Sequence, residues 1–406
     1  QLGEPRSSLF NCIEAGEEAV CRLQLHEQVA LLDPRTAHRR ADQGSREQMP
    51  QGAEHPPLAQ ASTPALGTGG WRGRVTEGIG GNDGADVLTN ANHLGVYSNA
   101  STTARSISYA SLGIALGKAN STSTIAVNGM SGDEGDDTII NSETGEVVAD
   151  AKATADSGSV SIALGGVADA EARSSILADA TGLSGGAGDD GILNAGLLNV
   201  LSHSRSTASG ASVSFFGVTG AKAGTEVETR AVGISGGFGM DYIANTGKIR
   251  VGTAEDATGD EQYMAVLRGS ATSGGLAGVA NAEASAFAST EATGIDGGDE
   301  ADTIYNSGDI IVNANSLSVT SSGSVSIFGS SSADGVAGST TFTRGIDGGA
   351  GNDLINNSAN MKLDATSELN MNGGSYTFAG SSNSGGTLAA LTYIEAIQGG
   401  DGDDPP

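Results

Sequence analysis

The chain is 406 residues long, with 63 glycines, 4% aromatic residues and a formal net charge of −28. That composition excludes a thick globular core of large side chains, and the acidity excludes nucleic acid and anionic lipid as natural partners. No apolar run reaches about 18 residues, so no helix is expected to cross a membrane.

The first stretch differs from the rest. Six of the eight prolines lie between Pro5 and Pro64, and none occurs from Ala65 to Asp404. Residues 1–75 carry 8 basic and 9 acidic side chains, so nearly all the net charge falls in 76–406. Residues 13–32 have the spacing of one amphipathic helix, and 34–73 read as a polar, proline-containing linker. The expected division is therefore a poorly ordered or partly helical leader over 1–75 and a repeat domain over 76–406. Both cysteines, Cys12 and Cys21, lie in the leader, so no disulfide can staple the repeats. The chain begins at Gln1 without a basic and apolar leader and ends inside a motif at Asp404-Pro405-Pro406. It reads as a fragment of a longer array.

From Gly78 onward one unit recurs. Its aspartates are Asp86, Asp137, Asp190, Asp241, Asp302, Asp353 and Asp404, at intervals of 51, 53, 51, 61, 51 and 51 residues. Each unit runs through a glycine turn, a short apolar stretch, an asparagine and two long runs of alternating small residues. In the second unit these are 129–141, 147–166 and 167–183. Period-two alternation of Val, Ile, Thr and Ser points to strands. Internal breaks such as Gly165-Gly166 or Gly217 to Gly220 divide each unit in two. The 61-residue interval holds extra sequence after Val251 (GTAEDATGDEQ), read as a surface loop let into one turn. The asparagines Asn90, Asn141, Asn194, Asn245 and Asn306, with Asn356 or Asn357 in the sixth unit, admit two readings. They form a ladder between stacked units, or they simply suit the turn after a strand. The fold class expected is all-β: an elongated parallel β-solenoid of about six to seven repeats of about 51 residues.

The turn itself has a recognisable pattern. Gly185-Gly186-Ala187-Gly188-Asp189-Asp190-Gly191-Ile192, Gly236 to Ile243 and Gly348 to Ile355 match G-G-x-G-x-D-x-U, with U a large apolar residue. Elsewhere Asn82 and Asp133 replace the second glycine and Glu300 the third. The pattern resembles the calcium-binding repeat of RTX (haemolysin-type) proteins, found in large bacterial adhesins and surface-layer proteins. The resemblance implies calcium as cofactor, held by Asp86, Asp137, Asp190, Asp241, Asp302, Asp353 and Asp404 with turn carbonyls. Calcium takes six to eight oxygens at about 2.3 to 2.6 Å, and glycines let carbonyls converge. Acid clusters at Asp133, Glu134, Asp136 and Asp137 and at Asp296, Asp299, Glu300 and Asp302 add to the charge. Spacing decides whether turns share ions. One wide coil per unit puts successive turns about 4.8 Å apart, whereas two or three coils per unit put them about 10 to 14 Å apart.

Catalytic patterns are missing from the sequence. His93 and His203 are the two repeat histidines and stand in no zinc arrangement, no G-x-S-x-G elbow accompanies a placed base, and no phosphate loop occurs. Parallel β-helices include polysaccharide lyases and hydrolases, but paired acids recur in every unit instead of forming one distinctive constellation. The reading is a non-enzymatic, secreted or cell-surface calcium-binding segment, extracellular, with matrix, polysaccharide or a host surface as partner. Alternatives are a metal-independent autotransporter-like or filamentous adhesin passenger, a polysaccharide-active enzyme, and an ice-binding face, the last disfavoured because Thr-x-Thr columns are absent.

Overall fold

The computed structural model describes residues 12–15, 18–21, 70–253 and 259–402. The chain separates into two compact units, Gln1–Leu58 and Ala59–Pro406. In the first, Cys12–Ala15 and Glu18–Cys21 pair as antiparallel strands. The helix expected over 13–32 is therefore not present at its start. Gly16 interrupts that pattern, and glycine inside a helix costs about 1 kcal/mol relative to alanine. The remainder of that span, and Asp404, lie outside the described residues.

The second unit is a parallel β-solenoid, and its first strand, Gly70–Gly80, starts slightly ahead of residue 76. A sheet of six short parallel strands faces a nine-stranded sheet of long ones. The short strands are Val87–Asn90, Thr138–Asn141, Gly191–Asn194, Tyr242–Asn245, Thr303–Asn306 and Leu354–Asn357. Between them run long strands such as Glu146–Ala187 and Leu197–Phe238, each of 42 residues. These pair from Leu197↔Glu146 through Phe238↔Ala187 at a constant offset of 51. One unit thus makes one wide coil, and the narrower alternative falls.

A straight strand of that length would extend about 140 Å. Each instead folds back at a glycine with positive φ: Gly166 at 115°, Gly217 at 138°, Gly278 at 133°, Gly329 at 130°. The two arms then face each other, and the Ser174 hydroxyl donates to the Ala155 carbonyl at 2.6 Å and Thr229 to Ser204 at 2.8 Å. A Cβ on any of these bend glycines would overlap the carbonyl of the bend glycine in the preceding coil. The internal glycine breaks are therefore the bends, and they stack as a column. Each arm is about 65 Å long, so a coil is broader than the six-strand stack, about 24 Å, is tall.

The interior tapers from the short strands towards the bends. Beside the short strands lie buried columns of large residues: Ile139, Ile192, Ile243 and Ile304 face Leu198, Ile249 and Ile310, and Leu183, Ile234 and Ile295 close the triangle. Further out the arms approach too closely for such side chains, and alanines such as Ala172, Ala223 and Ala284 and serines such as Ser206 and Ser318 fill the gap. Burying an isoleucine or leucine contributes roughly 1.5–3 kcal/mol and an alanine much less, so stability concentrates at the short-strand end.

The extra sequence of the long interval falls between two strands, Lys248–Gly252 and Ala265–Asp299, and its residues 254–258 lie outside the described residues. Gly252 pairs with Leu201 and Ala265 with Ser204, so the stack resumes unchanged after it. Its short 3-10 turn, Gly259–Gln262, lies on the outer face of the arms.

Candidate functional site

The glycine turns come together in one column, next to the short strands. Each motif aspartate is tied to the backbone of its neighbour. The amide N–H of Asp86 donates to Oδ1 of Asp137 at 2.6 Å, Asp137 to Asp190 at 2.7 Å, Asp190 to Asp241 at 2.8 Å, Asp241 to Asp302 at 2.7 Å and Asp302 to Asp353 at 2.8 Å. Asp137, Asp190, Asp241, Asp302 and Asp353 are buried. Oδ2 of Asp137, Asp190, Asp241 and Asp302 has no hydrogen-bond partner. It packs against the first glycine of its own motif, where a Cβ on Gly132, Gly185, Gly236 or Gly297 would collide with it. The first glycine is thus required both by the carbonyl of the matching glycine in the next coil and by the carboxyl group that covers it.

Burial raises these carboxyls, and neighbouring aspartates in the column raise them further. Asp190 is pushed up to about 6, and Asp241 and Asp302 to about 7. Asp137 is raised in the same direction and by the same leading cause. Near neutral pH Asp241 and Asp302 therefore share bound protons, which lessens the like-charge repulsion in the column.

The second and third glycines have a backbone cause. Gly186 and Gly237 have φ of 113°, and Gly188 and Gly239 have 136° and 122°. Asn82 (69°), Asp133 (75°) and Glu300 (76°) are the non-glycine residues with positive φ among the described residues, and they are the three that replace motif glycines. Asn and Asp tolerate this region better than Glu does.

Four residues beyond each aspartate the asparagine ladder is complete. The Nδ2 of Asn90 donates to Oδ1 of Asn141 at 2.9 Å, Asn141 to Asn194 at 2.8 Å, Asn194 to Asn245 at 2.7 Å, Asn245 to Asn306 at 2.6 Å and Asn306 to Asn357 at 2.6 Å. The ladder reading holds, and the sixth unit uses Asn357. The motif U residues Ile139, Ile192, Ile243 and Ile304, two residues after the aspartate, anchor the short strand in the core.

Calcium fits this column poorly. A six- to eight-oxygen shell must converge on one point. One oxygen of each buried carboxyl is held by a backbone N–H, and the other lies against the first glycine of its own motif. Among the described residues no three His, Cys, Asp or Glu side chains form a metal-sized group. The acid clusters separate in the fold: Asp137 and Asp302 turn inward, the Ser131 hydroxyl donates to Asp133 at 2.7 Å, and Asp296 pairs with Arg230 at 3.0 Å. Exposed Asp136 and Asp189 accept the N–H of Asp189 and Met240 at 3.0 and 2.9 Å, which makes a second, outer ladder.

A different cavity, of about 470 Å³, lies between the inserted loop and the arms. Several charges there are paired: Arg205 and Arg268 both bind Asp260, at 3.2 and 2.9 Å, and Lys152 reaches Glu261 at 3.6 Å. His203 contacts the Tyr263 carbonyl there at 3.3 Å, whereas His93 pairs with Glu146 at 2.9 Å. The histidines thus sit in separate pairs. No protein-family model, characterised protein or solved structure matches this chain.

Proposed function

We propose that the chain is a non-enzymatic, metal-independent β-solenoid segment of a secreted or cell-surface protein, serving as a stiff spacer or adhesive stalk. The observation that carries this reading is the continuity of the aspartate and asparagine ladders from coil to coil. The repeated aspartate and asparagine of the motif each join one coil to the next, so copying the unit extends the stack. The RTX-like motif then supplies turn geometry and coil register, with bound protons in place of calcium. No helix among the described residues is long and apolar enough to span a membrane.

Pulling the chain in a force spectrometer tests the proposal. One coil of 51 residues should release about 180 Å of contour length per event. The reading expects steps of that size at forces unchanged by EGTA. Loss of the steps in EGTA would return calcium to the structural role that the motif implies.

A further inference from the structure

The lengthened interval is the part of the solenoid that copying leaves unexplained. It exceeds every other interval by at least eight residues, and its described end is pinned across five successive units. Glu261 reaches Lys152 at 3.6 Å, and Asp260 binds Arg205 and Arg268 at 3.2 and 2.9 Å. The Asn315 side-chain N–H donates to the Gln262 carbonyl at 3.2 Å, and the Tyr263 hydroxyl donates to Glu368 at 2.7 Å. A segment fastened this widely is a fixed wall, so the cavity between it and the arms is preformed. Its volume, about 470 Å³, lies within the roughly 300–1,000 Å³ of small-molecule sites.

The lining selects a ligand class. Lys152, Arg205 and Arg268 stand against Asp156, Asp260 and Glu261, three charges of each sign. An anion entering the cavity meets carboxylates and a cation meets ammonium and guanidinium groups, so neither gains net attraction. Hydroxyl groups gain from both, because a hydroxyl donates to a carboxylate and accepts from a cation, and bonds to charged partners are the strong ones. His203 adds an acceptor. Its Nδ1 donates to the Tyr263 carbonyl at 3.3 Å, which leaves Nε2 of the neutral ring unprotonated. Ala153, Tyr263 and Val266 supply apolar wall, and the Tyr263 ring is held by its hydroxyl.

We infer that this cavity binds a neutral hexose unit of a polysaccharide. Mixed donors and acceptors, balanced charge and an apolar wall are what a sugar ring requires, with hydroxyls at its rim and C–H groups across its plane. Register brings the polar set together: Lys152 pairs with His203 and Thr154 with Arg205 in neighbouring coils, and Arg205 with Val266 in the next. The inference deepens the adhesive form of the proposed role and rests on it. The two fail separately, because these residues stand outside the aspartate and asparagine ladders that carry the stack.

Saturation-transfer NMR on the full chain, with the methyl glycosides of glucose, galactose and mannose as probes, tests it. At least one should bind saturably with a dissociation constant on the order of 1 mM, the ligand efficiency of drug-sized molecules applied to about thirteen non-hydrogen atoms. Lys152→Met and Glu261→Gln change side chains that are half or more exposed, should keep the native circular dichroism spectrum, and should each weaken that binding about tenfold. Lys222→Met, on the second arm, should leave it unchanged. Failure of all the probes overturns the inference and leaves the segment a brace across five coils, whereas force steps unchanged by EGTA would still uphold the spacer. Binding that survives both variants overturns it as well, as does tighter binding of methyl glucuronide or methyl glucosaminide, whose charges call for an unbalanced lining.

Discussion

Asp241→Asn separates a proton-holding column from a calcium-holding one. Asp241 titrates near 7 in the folded protein, because burial and the flanking Asp302 and Asp190 disfavour its charge. Unfolded aspartate titrates near 3.9, so ionising the folded residue costs about 4 kcal/mol. The sign follows from a folded value above the unfolded one. The stabilising contribution is complete below about pH 4 and is lost as pH rises through about 7. Asp302 behaves alike and Asp190 does so near 6. Their costs share mutual repulsion and do not add, so a fall of several kcal/mol is expected between about pH 4 and pH 7. In the variant the introduced amide oxygen can still accept the Asp190 N–H, while the amino group must pack against Gly236 at a pH-independent cost of about 1–3 kcal/mol. Urea unfolding across that pH range should therefore show a shallower dependence for the variant, by up to about 1.4 kcal/mol per pH unit between about pH 5 and pH 6. Parallel curves for wild type and variant would refute a protonated column.

Further substitutions read the same stack. Asn194→Ala removes two buried hydrogen bonds and leaves Asn141 Nδ2 and Asn245 Oδ1 short of their ladder partners, so urea unfolding should show a loss of about 3–5 kcal/mol. The same change at Asn90, at the end of the ladder, should cost about 1–2 kcal/mol. Glu300→Gly relieves a positive-φ glutamate and should raise stability by about 1 kcal/mol, measured as a shift in melting temperature. Gly217→Ala drives a Cβ into the Gly166 carbonyl at a φ of 138° and should cost more than about 3 kcal/mol, or unfold the coil, by the same measurement.

Much of this architecture is legible in the residues. The interval between aspartates equals the pairing offset, because a solenoid whose units stack in register must repeat its side chains at the length of its coil. Asn90 to Asn357 admit a ladder as one of two readings, and the burial of Asn90 to Asn306 decides for it, because a buried amide without a neighbour of its own kind would be unsatisfied. The direction of the aspartates was not legible. In a one-dimensional pattern Gly-Gly-x-Gly-x-Asp reads the same whether the carboxylate points out to an ion or in over the first glycine. The backbone N–H of the preceding coil, which settles the direction, is 51 to 61 residues away. The leader pattern misleads for a simpler cause, since four-residue strands are too short to override a helical period on paper.

The most direct test of the account is calorimetric titration of the full chain with calcium at neutral pH, paired with melting curves in calcium and in EGTA. Turn aspartates that serve coil-to-coil hydrogen bonding predict no saturable heat and superimposable melts. Stoichiometric uptake of several ions with a rise in melting temperature would contradict it, because the carboxyls would then have to turn out of the column to meet the metal.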